Sequence, residues 1–137
     1  MPLLNRFSYY GAEAVDDAPP ESDVRGTYDS GSKQLKARTL SKLKILAQLP
    51  RKDWHEGYFK QLSGNCDGLS EIRFTADKVE QRPLGFHISK NEFVILFWAE
   101  ERGDKFVPKA ACEIALKRKE ALLKNRKLKH ALWLELE

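Results

Sequence analysis

Cysteine is scarce in this sequence: Cys66 and Cys112 are the only two among 137 residues. They lie far apart, no Cys-x-x-Cys pair occurs, and the three histidines, His55, His87 and His130, are scattered as well. This spacing lacks the clustered ligands of a zinc site, so no metal and no cofactor is expected, and the cysteines read as reduced cytosolic thiols. Long apolar runs are missing too. None approaches the roughly 20 residues that cross a bilayer, and the start MPLLNRFSYY has no basic segment followed by a long apolar one. The expectation is a soluble, cytoplasmic protein with no membrane partner.

What is present, 42% hydrophobic residues in a chain of this length, suffices for one domain with one core. Charge is unevenly spread. Residues 1–32 hold Glu13, Asp16, Asp17, Glu21, Asp23 and Asp29 against Arg6 and Arg25, a net −4 in a chain whose total is +4, so the remainder carries +8. A basic body behind an acidic leader fits a protein that binds a polyanion, and it also fits an ordinary solvated surface.

Residues 11–32 are rich in Ala, Asp, Pro, Gly and Ser without periodicity, so residues 1–32 read as an acidic, flexible extension and residues 33–137 as a single domain. The stretch RFSYY at 6–10 fits either an extra edge strand or part of that tail. Leu35, Leu40, Leu43, Leu46, Ala47 and Leu49 form a stripe that predicts an amphipathic helix over 33–49, stopped by Pro50. A second, shorter helical segment is expected over 52–62. Three strands follow, at 69–75, at 80–87 with Pro83 and Gly85 as flaws, and at 93–99, where FVILFWA is apolar on both faces and belongs inside a sheet. Short loops between them dictate an antiparallel meander. Pro108 suits the first turn of a closing helix that buries Ala111, Ile114, Ala115 and Leu122. The tail HALWLELE fits a strand or a helix and should pack in either case. The fold class is α+β, with N-terminal helices on a small antiparallel meander and a C-terminal helix.

In the first strand Glu71 and Arg73 are two residues apart and share a face, while Ser70, Ile72 and Phe74 point the other way. An arginine held on a stiff sheet makes a good phosphate clamp, because its fork of donors matches an oxyanion. An ion pair with Glu71 or another acid is the equal alternative.

Taken in order, YFKQLSGNCDGLSEIRF, QRPLGF, FVILFWAEERGDKFVP and the helix carrying ALKRKEAL resemble the RelE/ParE superfamily of small toxins, and within it the phage-related, HigB-like branch. Lys60 and Leu62 match the lysine and leucine ahead of that family's strand, Glu71 and Arg73 its Glu-x-Arg, Arg82 the arginine of its second strand, and Pro108 the proline that ends its turn. The chain departs from the pattern at Glu100 and Glu101, where relatives often carry paired lysines, leaving Arg102 and Lys105 to supply positive charge. Ser70 also stands where an aromatic is frequent.

The resemblance implies a RelE-like fold and, for members of the RelE and HigB kind, metal-independent cleavage of messenger RNA on the ribosome. Attack of a ribose 2′-hydroxyl on the adjacent phosphorus is the implied step. It also implies a small cognate antitoxin, of helix-turn-helix type, as partner beside the ribosome and its mRNA. On this reading Arg73, Arg82 and His87 are the catalytic candidates, with Tyr58 and His130 as weaker ones for proton transfer. Lys60, Lys105, Lys117 and Lys119 are the candidate RNA-phosphate contacts, with Lys124 and Lys127 further along the last helix, whose run of charge also fits a plain solvated face. Two alternatives stay open: a degenerate, phage-related member without cleavage, favoured by Glu100-Glu101, and a ParE-like, non-enzymatic inhibitor of DNA gyrase. The acidic leader adds the expectation that residues 12–29 fold back across the basic face.

Overall fold

The doubly apolar run of residues 93–99 is where two cores meet. Phe93, Ile95 and Trp98 face one cluster while Val94, Leu96 and Ala99 face a second. The structure, a computed structural model, describes residues 3–13 and 22–137. Within them the order is β1 (Arg6–Tyr10), α1 (Asp23–Asp29), α2 (Lys33–Gln48), β2 (Phe59–Gln61), β3 (Ser70–Ile72), β4 (Phe74–Ala76), β5 (Val79–Ser89), β6 (Glu92–Arg102), β7 (Lys105–Val107), α3 (Ala111–Lys124) and β8 (Lys129–Ala131). The strands make one open, mixed sheet in the order β2-β3-β5-β6-β1-β8, with β4 added to β5 and β7 to β6. The fold is thus α+β, with three helices among the described residues and a larger sheet than a small meander.

Two tight hairpins build the meander as its short loops require. Asp77 and Lys78 both take positive φ between β4 and β5, and Gly103 and Asp104 do the same between β6 and β7, the backbone twist that suits two-residue hairpin turns. At Gly85, next to a register irregularity in the β5–β6 ladder, a Cβ would sit 2.0 Å from the Val94 carbonyl oxygen, so only glycine allows the strands to approach.

One face of the sheet packs Ile72, Phe74, Phe93 and Trp98 against α1, α2 and Leu136; the other packs Leu84, Phe86, Val94 and Leu96 against α3. Ser22 and Ser32 cap α1 and α2, their hydroxyls accepting from the Arg25 and Leu35 amides. At the far end of α2 the Leu46 and Leu49 carbonyls accept from the Asn5 side-chain amide and from the Trp54 indole N–H, which satisfies groups the helix leaves unpaired.

Several expectations change. Residues 6–10 lie inside the sheet rather than in a flexible tail or at an edge: β1 runs parallel to β6, with β8 antiparallel on its other side. Phe7 and Tyr9 are buried there, and the Ser8 hydroxyl bonds Glu92. Residues 14–21 of the acidic leader lie outside the described residues. The segment 52–62 is a short 3-10 turn at Arg51–Asp53 followed by β2, because Trp54 turns inward and Phe59–Gln61 pairs with β3. The strand over 69–75 splits into β3 and β4 at Arg73, and Pro108 precedes α3 instead of opening it. The tail is strand only as far as Ala131. The cysteines are not reduced thiols: Cys66 and Cys112 form a disulfide, with Cα atoms 5.3 Å apart, where the turn at Gly64–Cys66 meets the start of α3. Among the described residues no helix is long and apolar enough to cross a membrane.

Candidate functional site: an ionic cluster on one sheet face

The residues that the sequence motif singles out do converge, although not as a bare cationic surface. In β5, Arg82 alternates with Leu84 and Phe86, which places it on the α3 side of the sheet. Glu71 sits opposite Leu84 on β3, and Lys60 sits opposite Glu71 on β2. Adjacent strands therefore bring Lys60, Glu71 and Arg82 together.

Arg82 is almost wholly buried at 2% exposure, and its donors face protein. Nε lies 2.9 Å from Glu71 Oε2 and 3.5 Å from Glu101 Oε1, Nη2 lies 3.0 Å from Glu80 Oε2, and Nη1 donates to the Gln81 carbonyl at 2.8 Å. The Nε contact to Glu71 is a charge contact with poor hydrogen-bond alignment. Arg82 is thus the hub of three carboxylates rather than a free phosphate clamp. The acids beside the expected phosphate contact are Glu80, two residues earlier on the same strand and so on the same face, and Glu101, opposite Glu80 across the β5–β6 ladder, which strand pairing alone brings near.

Burial pushes the Glu71 carboxyl above its ordinary range, opposed by Arg82 and, less strongly, by Arg73. The Thr75 hydroxyl, with help from Arg82, holds Glu80 below it. Arg73 stands at the break between β3 and β4, half-buried, with Nη1 donating to the Glu56 carbonyl at 2.9 Å. It keeps other donors, and it remains the motif arginine best placed to meet a ligand. Lys60 and Lys105 are exposed.

His87 does not join this site. It lies five positions after Arg82, an odd step, so β5 sends it to the opposite face, against Trp54, Phe59 and Phe93. Burial, with the nearby Arg51 charge, lowers its pKa from 6.5 to about 4. The imidazole expected to serve in catalysis therefore packs among aromatic rings, on the sheet face opposite Arg82. Tyr58 lies near the cluster instead: its carbonyl accepts from the Arg73 amide, its ring stacks near His55 at 4.2 Å, and Lys42 Nζ sits 4.0 Å from the ring centre. His130 packs beside Tyr9 and contacts the Ala12 carbonyl.

The cations of α3 are largely occupied. Lys117 pairs with Glu113 and Lys124 with Glu120. Lys119 donates to the Gly68 carbonyl over the Phe86 ring, a structural tie rather than an open phosphate contact. Arg118 stacks on Tyr10 and Phe97 and pairs with Asp23, so part of the acidic leader does reach the last helix. Arg102 is paired with Glu100 at 3.1 Å. Sequence reasoning missed Lys42 and the carboxylates Glu80 and Glu101; the signal available for Lys42 was a run without any acid from Ser30 to Lys52. Among the described residues, no group of three or more His, Cys, Asp or Glu is arranged to hold a metal ion. No family model matches the chain, and no curated protein and no solved structure matches it.

Proposed function

We propose that this chain is the toxin half of a type II toxin–antitoxin pair, a RelE/HigB-like protein that acts in the cytoplasm on messenger RNA at the ribosome. One observation carries the reading: Lys60, Glu71, Arg73 and Arg82, drawn from three separate segments by the motif resemblance, gather around one carboxylate on neighbouring strands. Two helices on one face of an antiparallel meander and a closing helix on the other support a RelE-like arrangement, to which this chain adds the strand β1 and its partner β8. In the cleavage step Arg73, with Lys60 and Lys105, orients the RNA backbone and neutralises charge as the 2′-oxygen gives up its proton and bonds to phosphorus. That attack expels the 5′-oxygen of the next nucleotide, which takes up a proton, and leaves a 2′,3′-cyclic phosphate. A small antitoxin covers the toxin until it is released.

A second reading, a phage-related or degenerate relative that keeps the scaffold without cleaving RNA, is favoured by a specific observation: Arg82 is spent on Glu71, Glu80 and Glu101, and His87 is packed on the opposite face. The test is induced expression in bacteria with mapping of mRNA 5′ ends and pulse-labelling of translation. Cleavage is expected to fragment mRNA within minutes and to be lost in Arg73→Ala. Arrested translation with intact mRNA selects the non-cleaving reading. Induction of DNA damage with translation intact rejects both in favour of a gyrase inhibitor.

A further inference from the structure

Among the described residues, positive charge outside ion pairs is concentrated on α2, where Lys36 and Lys42 lie over the Tyr28 and Tyr58 rings. Its 16 residues carry five cations, Lys33, Lys36, Arg38, Lys42 and Lys44, and no acid. None of the five lies in an ion pair among the described residues, whereas Lys117, Arg118 and Lys124 of α3 all do. At 100° per residue the buried Leu35, Thr39, Leu43 and Leu46 define the inner face. On the outer side Lys33 and Lys44 fall along one flank and Arg38 and Lys42 along the other. The small, exposed Ala37 and Ser41 lie between them. Arg38 and Lys42 are a like-charge pair one turn apart, which costs helix stability unless something neutralises it.

We infer that the outer face of α2 is a docking surface for an RNA backbone, separate from the Arg73 face of the sheet. Two cationic flanks about a small-residue ridge let a phosphate strand approach closely and be contacted from both sides. An acidic polypeptide is the weaker fit, because a protein partner needs apolar anchors at the centre of its interface and this face offers only the partly exposed Ile45. Lys42 also lies over the Tyr58 ring, whose backbone carbonyl accepts from Arg73. That contact ties the α2 face to the segment before β2, at the same edge of the sheet as Arg73. The inference deepens the RNA-directed reading and does not depend on cleavage.

Binding of a labelled single-stranded RNA to the full chain, measured against salt, tests it. The variant Lys33→Gln/Arg38→Gln/Lys42→Gln/Lys44→Gln should lose at least tenfold in affinity at low salt, with the slope of log K against log salt falling by about 3, as four neutralised phosphates predict. A variant with the same charge change elsewhere, Lys78→Gln/Lys90→Gln/Lys109→Gln/Arg126→Gln, all exposed positions, should lose less than threefold. Equal losses would show that net charge alone acts and overturn the site. Polyglutamate displacing RNA at equal charge concentration would assign the face to an acidic chain and overturn the RNA assignment. Should the first variant not fold, acetylation of the wild-type protein decides: RNA is expected to protect Lys33, Lys42 and Lys44 severalfold more than the exposed Lys90 and Lys109, and uniform protection rejects the inference. Mapping of mRNA cleavage in cells remains an independent readout, so RNA docking and cleavage fail separately.

Discussion

Arg82 Nε lies 2.9 Å from Glu71 Oε2, with both side chains withdrawn from solvent. Removing the guanidinium strands Glu71 beside Glu80 and Glu101, so Arg82→Met is expected to lower stability by about 3–5 kcal/mol. Adding Glu71→Leu should restore much of that loss. Urea unfolding of the two single variants and the double variant, read as a cycle, measures it; additive losses would mean that the pair is not coupled.

His87 is held neutral in its aromatic pocket, with its folded pKa lowered to about 4 from 6.5. Between those two values the unfolded chain binds the extra proton, so this group contributes stability above about pH 6.5 and loses it as pH falls towards 4. Glu71, whose folded pKa is raised, has the opposite sign, and a His87→Phe comparison leaves its effect unchanged in both proteins. The wild type is expected to lose more stability than His87→Phe between pH 7 and pH 5; parallel loss in thermal melts counts against the buried neutral imidazole.

Gly85 leaves no space for a side chain, since a Cβ there would meet the Val94 carbonyl oxygen at 2.0 Å. Backbone cannot rotate away as a side chain can, so Gly85→Ala should cost about 1–3 kcal/mol or more. Gly26, with nothing within 4 Å of an added Cβ, provides the contrast: Gly26→Ala in α1 should be neutral or stabilising in the same melt.

The Cys66–Cys112 disulfide closes a sequence separation of 46 residues. Loop-closure entropy for that length gives about 4 kcal/mol, and measured values usually fall in the range of about 2–4 kcal/mol. The Cys66→Ser/Cys112→Ser protein should be less stable by about that much. Dithiothreitol should destabilise the wild type to the same extent and leave the double variant unchanged.

The parts of the fold that repeat along the chain were legible in the sequence. The Leu35–Leu46 stripe predicts α2 to within a residue, and the doubly apolar run 93–99 predicts an interior strand with cover on both faces. What depends on distant residues was not. Nothing local in RFSYY says that it pairs with Glu92–Ile95, and nothing near Cys66 says that Cys112 will lie beside it. For the site, Glu71 and Arg73 were identified as neighbours, but the burial of Glu71 and the contacts of Arg82 with Glu71 and Glu101 depend on which strands lie side by side. The opposite facing of Arg82 and His87 was available from parity alone.

The parallel pairing of β1 with β6 joins Arg6 to Glu92, and β8 then closes on β1 through Ser8 and Ala131. During synthesis the first strand therefore has no place to go until β6 has emerged, and it keeps one open edge until β8 follows. Contacts of such long sequence separation slow folding, and unpaired strand edges invite association with other chains. The sheet is complete only once residues 129–131 are in place, so truncation anywhere before residue 131 should leave a sticky, incompletely paired chain rather than a smaller working one.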